Sequence, residues 1–163
     1  DVLFKFQVSS EQGGGGVAAR EKRRGGVMSQ AEKNIVLAEK MYEYGFSSDW
    51  DNLEAILTED FEIVEAGSFS FGGSYRGKQA LQEVFGIALG TLQPKDVRRL
   101  SMTASDTEVV SMIELVFEDG DGEFVMPVAE YFEMRGDQIA RIVPYFFDTA
   151  RLNAFLEGRA QAG

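Results

Sequence analysis

The sequence predicts an α+β domain in which three helices lie on one face of a curved antiparallel sheet. Two features of the 163 residues support this fold class. Apolar residues recur at helical spacing in the region before Pro94, and after Pro94 they alternate with polar residues in four stretches separated by turns. A chain of this length is typical of a single domain with a sizeable core.

Residues 1–27 differ in composition from the rest of the chain. Four consecutive glycines, Gly13–Gly16, precede a cluster of charged residues at 20–24. Glycine tracts and clustered charge are typical of linkers. We therefore predict a flexible N-terminal extension over 1–27 and a folded domain over 28–163. The alternative is a short strand, Val2–Val8, that docks on the domain.

The helices are predicted from their caps and apolar stripes. Ser29 and Glu32 have the spacing of a capping box, and the first helix is expected to end at Gly45. Its buried stripe contains Ile35, Ala38, Met41 and Tyr42, with Tyr44 along the edge. A short second helix is predicted over Trp50–Leu57, and a third carries its apolar stripe between Ala80 and Leu89.

The strands are predicted from alternation with a period of two residues. They are Asp60–Glu65 before the third helix and, after Pro94, Val97–Ala104, Glu108–Glu118, Glu123–Met134 and Gln138–Phe147. A helical segment, Thr149–Leu156, follows them. The acidic stretch Glu118–Glu123 lacks the spacing of a calcium loop, so a hairpin turn is the favoured interpretation and no metal is expected.

One strand contains an acid where an apolar residue is expected. In Glu123–Met134 every second residue from Phe124 onward is large and apolar except Glu130. A carboxylate in such a row must find a charge partner, accept hydrogen bonds or stay protonated. Glu65 likewise ends an apolar row in the first strand. Both residues are therefore candidate site residues, and an edge-strand Glu130 that reaches water is the alternative.

Composition excludes several kinds of chemistry. The chain has no cysteine and no histidine, which rules out disulfides, thiol chemistry, Ser–His pairs and histidine-bound metals. Proton transfer is left to Asp, Glu, Tyr and Lys. The net charge of −11 argues against nucleic acids and membrane surfaces as partners. No segment has the pattern of a membrane span or signal peptide, so a cytoplasmic location is expected.

The element order and three local phrases resemble the nuclear transport factor 2-like superfamily, which includes ketosteroid-isomerase-like and SnoaL-like domains. The phrases are WDNLEAILTEDFEIVEAG, FGGSYRGKQAL and EYFEMRGDQIARIVPYFFD. The resemblance extends over about Ser29–Phe155. It implies a cone-shaped domain, in which a curved antiparallel sheet wraps around three N-terminal helices. Because this fold hosts many activities, the resemblance is more specific for fold than for chemistry.

The resemblance also implies roles for individual residues. In ketosteroid isomerases a tyrosine and a protonated acid bind the substrate oxygen, and a second acid is the base. Matched position by position, these roles fall on Tyr44, Glu130 and Glu65, with Glu where the family has Asp. SnoaL-type cyclases use an aspartate after a His-Trp pair. Asp148 is the nearest equivalent, but it lies one place later, lacks the histidine, and would need a bulge to face the cavity.

The predicted function is that of a cofactor-free enzyme that abstracts a proton next to the carbonyl of a hydrophobic small molecule, leading to isomerisation, cyclisation or dehydration. The residues expected to line its pocket are Phe61, Tyr75, Phe85, Phe124, Met126, Phe132 and Phe146. The alternative is a non-catalytic ligand-binding or dimerisation domain, in which Glu130 pairs with a neighbour such as Arg141.

The opposite face of the last strands is also apolar. It contains Val125, Ala129, Tyr131, Val143, Tyr145 and Phe147. A monomer rarely exposes so large an apolar patch. We therefore predict a two-fold homodimer that forms sheet to sheet, as the resemblance also implies.

Overall fold

The computed structural model describes residues 27–120 and 122–162. These residues form four helices and six strands. In chain order they are α1 (Gln30–Ser47), α2 (Trp50–Ala55), β1 (Leu57–Glu65), β2 (Gly73–Arg76), α3 (Ala80–Leu92), β3 (Asp96–Ala104), β4 (Glu108–Asp119), β5 (Gly122–Arg135), β6 (Gln138–Phe146) and α4 (Thr149–Ala162). Nearly all of the predicted extension, residues 1–26, lies outside the described residues. No helix within the described ranges is both long and apolar enough to cross a membrane.

The six strands form one sheet in the order β2-β1-β6-β5-β4-β3. Strands β3 to β6 make the predicted antiparallel meander. Strand β1 pairs parallel with β6 and antiparallel with β2. The predicted α+β class is therefore confirmed, although the sheet contains one parallel pair that the prediction did not include.

Helix α1 begins as predicted and ends later than predicted. The capping box forms, because Ser29 accepts a hydrogen bond from the Glu32 backbone and the Glu32 side chain accepts one from the Ser29 backbone. The helix runs through Gly45 to Ser47, and Ser48 closes it in the left-handed conformation with φ 57°. Gly45 therefore does not end the helix, and its role is to make room for a neighbouring side chain. A Cβ there would lie 2.8 Å from Cζ of Phe85, so glycine at this position lets the Phe85 ring lie directly against α1.

Other elements also differ from prediction, and α2 ends earlier than predicted, at Ala55. Strand β1 starts earlier, at Leu57, and α4 extends to Ala162. The segment Gly73–Arg76, where no strand is predicted, forms the short edge strand β2. Four residues with no apolar alternation carry no strand signal, and β2 is held by its pairing with β1 and by hydrogen bonds from Ser74 and Arg76 to Glu62.

The face of the sheet on which α1 and α3 pack is called the inner face. The β5 residues Phe124, Met126, Val128, Phe132 and Met134 are buried there, as their alternation predicted. Helix α4 covers one end of this face, where Phe155 stacks on Phe124 with ring centroids 4.5 Å apart. The rest of the inner face, under α1 and α3, is left to enclose a cavity.

Candidate functional site

A cavity of about 100 Å³ lies between the inner face of the sheet and helices α1 and α3. It is partly open to the surface, and its wall is almost entirely apolar. The apolar lining residues are Met41, Phe46, Ile63, Phe71, Leu81, Val84, Phe85, Ala88, Leu89, Leu92, Val97, Ile113, Leu115, Val128, Ile142, Pro144 and Phe146. The polar side chains that line it are Tyr42, Glu65 and Glu130. A mostly apolar cavity with a few convergent polar groups is the usual form of a small-molecule site.

Glu130 reaches the cavity from the middle of β5. Its neighbours in register are Ser111 on β4 and Pro144 on β6, so it lies in the interior of the sheet and not at an edge. Its carboxylate accepts a hydrogen bond from the Tyr42 hydroxyl. Burial raises the pKa of Glu130 from 4.5 to about 7, against a smaller lowering by the hydrogen bond from Tyr42. The alternative of an edge-strand Glu130 is therefore wrong.

Glu65 reaches the same cavity from the last position of β1. It is only 7% exposed, and its Oε2 atom is buried without a hydrogen bond. Burial first, and then the charge of Glu130, raise its pKa from 4.5 to about 7. The two acids are thus close enough to influence each other, and the sequence pattern identified both correctly as cavity residues.

The tyrosine of the site is Tyr42, and the prediction of Tyr44 in this position is wrong. Tyr42 is 9% exposed and faces the cavity, whereas Tyr44 packs against the core at a half-buried position and does not line it. Burial, followed by the charge of Glu130, raises the pKa of Tyr42 well above 10.0. Tyr42 therefore stays protonated and acts as a hydrogen-bond donor.

Two further polar residues affect the pKa of Tyr42 and were not predicted as site residues. Ser111 is fully buried on the inner face of β4, where it interrupts an apolar row as Glu130 does on β5. It lowers the pKa of Tyr42, although its Oγ makes no hydrogen bond of ordinary geometry. Arg99 on β3 also lowers that pKa and forms an ion pair with Glu39 of α1 at 3.4 Å. A polar residue in an alternating row of apolar residues identified Glu130, and the same pattern could have identified Ser111.

Comparison with protein families shows the family to which the chain belongs. The family model described as SnoaL-like domain matches residues 38–142, which include Tyr42, Glu65 and Glu130. The chain belongs to the SnoaL-like domain family. A comparison with curated protein sequences finds no match.

Solved structures share the fold of this SnoaL-like domain. Bal32a, from a soil-derived mobile gene cassette, is 21% identical over 79% of this chain and 98% of its own, with a TM-score of 0.64. TerC, co-crystallised with polyporic acid, is 18% identical over 77% of this chain and 98% of its own, with a TM-score of 0.63. An NTF2-like protein from Burkholderia xenovorans LB400 is 19% identical over 78% of this chain and 98% of its own, with a TM-score of 0.61. At these identities the likeness concerns the fold alone.

Asp148 does not belong to the cavity of this SnoaL-like domain. It follows β6 with no bulge at that end of the strand, and its Oδ1 accepts a hydrogen bond of 2.9 Å from the backbone of Arg151. Its carbonyl accepts another from Leu152, so Asp148 caps α4. The structure therefore does not bring Asp148 into the cavity with Glu65 and Glu130, as its predicted role required.

Two of the seven predicted lining residues, Phe85 and Phe146, line the cavity. Phe61, Phe124, Met126 and Phe132 are buried in the core outside it. Their positions on the inner face were predicted correctly, but Phe155 of α4 stacks on Phe124 and Tyr42 of α1 lies against Phe132. Tyr75 also lies outside the cavity, where its hydroxyl donates to the carbonyl of Phe71 at 2.8 Å.

Arg141 is not the partner of Glu130. Its Nε lies 3.2 Å from Oε2 of Glu62, next to the pairing of β6 with β1. Glu130 and Arg141 are separated by an odd number of positions in the β5–β6 register, which places them on opposite faces. The predicted ion pair is therefore wrong, and the hydroxyl of Tyr42 is the partner that Glu130 has.

The two carboxyl groups of the cavity have the properties of acid–base groups. Within the described part of the chain, no group of three or more acidic side chains is placed to hold a metal. Two carboxyl groups with pKa values of about 7 can each gain or lose a proton near neutral pH. The carboxyl group of Glu130 accepts a hydrogen bond from Tyr42, whereas Oε2 of Glu65 has no hydrogen bond.

Proposed function

We propose that this SnoaL-like domain is an enzyme that moves a proton on a carbon next to the carbonyl group of an apolar small molecule. The observation that carries the proposal is the presence of both Glu65 and Glu130 in one apolar cavity, each with a pKa of about 7. Acids and bases work best when their pKa lies near the operating pH. Burial has brought both carboxyl groups into that range.

Glu65 is the general base. Its raised pKa makes the carboxylate more basic than one in water, and its Oε2 has no hydrogen bond that would compete for an incoming proton. Its neighbours on the cavity wall are apolar, so few groups stabilise its charge. A buried, poorly solvated carboxylate is well suited to accept a proton from carbon.

Glu130, in its protonated form, is the donor to the substrate oxygen. One of its oxygens accepts the hydrogen bond from Tyr42, so the proton on the other oxygen can be donated into the cavity. Tyr42 then acts as a positioning residue, because it fixes the carboxyl group and polarises it toward the substrate. Donors fixed in an apolar site stabilise a developing enolate more strongly than water does.

The wall of the cavity indicates the class of substrate. Its apolar surface suits a hydrocarbon or aromatic skeleton with one carbonyl oxygen directed at Glu130. The structural neighbour TerC was co-crystallised with polyporic acid, which supports an organic ligand in this fold. Isomerisation, cyclisation and dehydration all begin with this proton transfer and differ in the steps that follow it.

A second candidate function is ligand binding without catalysis. It is favoured by the hydrogen bond that the Tyr42 hydroxyl donates to Glu130, because this bond uses the one proton that Tyr42 could donate to a ligand. While Glu130 is ionised, it cannot donate to a carbonyl, and Tyr42 is not free to do so. In that state the cavity would hold an apolar molecule without activating it.

The test is hydrogen–deuterium exchange of the α-hydrogens of 2-tetralone in D₂O near neutral pH, followed by NMR. The wild type should accelerate exchange, and Glu65→Gln should slow it by about a hundredfold or more, since general-base catalysis has that magnitude. Glu133→Gln, an outward-facing change on β5, is the control and should keep the wild-type rate. Binding of 2-tetralone with no acceleration would favour the second function.

A further inference from the structure

The cavity is lined by the unpaired carboxylate of Glu65 and by several aromatic rings. Five aromatic side chains line it: Tyr42, Phe46, Phe71, Phe85 and Phe146. Glu65 is more than nine-tenths buried, and its Oε2 has no hydrogen bond. Aromatic faces attract cations, and a buried carboxylate is strongly stabilised by a cation within contact distance.

The protein does not supply that cation from its own described residues. No lysine or arginine is among the side chains that line the cavity in residues 27–120 and 122–162. Arg99 is the cation that acts on Tyr42, and its guanidinium pairs with Glu39 at the edge of α1. The pKa of Glu65 is raised by burial and by Glu130, with no cation that lowers it. Above neutral pH, Glu65 is therefore a buried charge without a counter-charge.

We infer that the cavity binds an apolar molecule that carries one protonated amine, with the ammonium group against Glu65 and the apolar part against the aromatic wall. The ammonium group supplies the counter-charge that Glu65 lacks, and the faces of the aromatic rings attract the same positive charge. The cavity, at about 100 Å³, suits a compact ligand such as a single ring with a short aminoalkyl chain.

This inference concerns the charge of the ligand and does not rest on the proposed proton transfer. An ammonium group at Glu65 would occupy the position of the general base. Amines of this kind are therefore expected to bind whether or not the protein is an enzyme, and to inhibit exchange if it is one.

The test compares three ligands of nearly equal shape: benzylamine, benzyl alcohol and benzoate. Their binding is measured near pH 8 by the fluorescence of Trp50, the one tryptophan of the chain, whose ring lies 6.3 Å from that of Phe85 on the cavity wall. Benzylamine should bind about tenfold or more tightly than benzyl alcohol, and benzoate more weakly than either, since each tenfold corresponds to a modest electrostatic gain. Isothermal titration calorimetry on the same samples checks the dissociation constants.

Two variants locate the effect. Glu65→Gln keeps the shape of the side chain and should bring the affinities for benzylamine and benzyl alcohol to within about twofold of each other. Glu133→Gln removes a carboxylate on the outer side of β5 and should leave the preference unchanged. The overall charge changes equally in both, so a general effect of net charge would appear in both.

The wild type offers an independent check through pH. The titratable and charged groups around Glu65 are Glu130 from β5 and Tyr42 from α1, and Arg99 of β3 acts on Tyr42 through its charge. Of these, the two glutamates change charge between pH 5.5 and 8, so the preference for benzylamine should fall several-fold as the solution is made acidic. This measurement needs no variant to fold.

The inference is overturned if benzyl alcohol binds as tightly as benzylamine, if no benzylamine binds at millimolar concentration, or if Glu65→Gln keeps the full preference. Its failure is distinguishable from failure of the proposed function. Exchange of 2-tetralone without a preference for the amine would overturn only this inference. Preference for the amine without exchange would overturn only the proposed proton transfer.

Discussion

The hydroxyl of Tyr42 donates a hydrogen bond to the carboxylate of Glu130, and this contact connects α1 with β5 across the cavity. Both groups are held in an apolar site, where a hydrogen bond is stronger than in water and a missing partner is costly. The contact therefore contributes to stability as well as to the orientation of Glu130. Four predictions test this site and the surface around the domain.

Removal of the donor should destabilise the protein. Tyr42→Phe leaves Glu130 without its partner, so we expect the free energy of unfolding to fall by about 1–3 kcal/mol. Because the hydrogen bond lowers the pKa of Glu130, that pKa should rise above about 7 in the variant. Urea unfolding measures the first effect. Tyr44→Phe, which changes a tyrosine outside the cavity, is the control, and an equal loss in both variants would contradict the role of Tyr42.

Glu130→Gln tests the protonation of this acid through stability at two pH values. The folded pKa of about 7 lies above the usual 4.5, so the stability contributed by protonated Glu130 is complete at low pH and is lost as pH rises through 7. Gln cannot ionise and can still accept from Tyr42. That loss begins near pH 4.5, where the unfolded chain ionises, and ends near pH 7, so urea unfolding should favour the variant over the wild type by about 1–3 kcal/mol more at pH 8.5 than at pH 5.5. A variant less stable at both values would show that Glu130 is ionised and compensated in the native state.

Gly45→Ala should reduce the cavity. The new Cβ would lie 2.8 Å from Cζ of Phe85, so the ring of Phe85, which lines the cavity, must shift. We expect a loss of about 1–3 kcal/mol from overpacking, together with weaker ligand binding and a changed fluorescence of Trp50. Gly86→Ala, on α3 with no atom near the added Cβ, is the control and should raise stability by about 0.5–1 kcal/mol. Unchanged ligand binding in Gly45→Ala would place the ligand elsewhere.

The outer face of the sheet should form a homodimer. Tyr145 and Phe147 are 60% and 82% exposed on the face that the alternation of β6 directs away from the helices. Light scattering at micromolar concentration should give the mass of two chains, and Phe147→Asp should give the mass of one, because a charge cannot be buried there. Ile87→Asp, at a 40% exposed position on α3, is the control. A monomeric wild type would contradict the prediction.

Simple residue patterns predicted much of the site. Glu65 and Glu130 were recognisable because each is an acid in a row of apolar residues, and the period of a strand places such a residue on the buried face. Tyr42 was likewise on the buried stripe of the first helix. The family resemblance pointed instead to Tyr44, two residues further, which is about 200° around the helix axis. At this position the helical period was a better guide than the alignment.

The remaining errors have a common physical cause. Alternation shows which face of a strand is buried, but it does not show what covers each part of that face. Phe124 lies under Phe155 of α4, and Phe132 lies against Tyr42, so neither reaches the cavity. Asp148 was misjudged for a related reason, since its cap on α4 depends on where that helix begins. Such facts follow from tertiary packing, which a single sequence does not display.

The parallel pairing of β1 with β6 has a consequence for how the chain folds. Its register joins Leu57 to Ile139 and Ile63 to Ile142, which are far apart in sequence, whereas β3 to β6 are joined by short turns. Contacts between distant segments form more slowly because a long loop must first close. We therefore expect the hairpins of β3 to β6 to form early and β1 to dock late. Until it does, Glu130 lies on an incomplete sheet without Glu65, and β6 presents a free edge to which another chain could add.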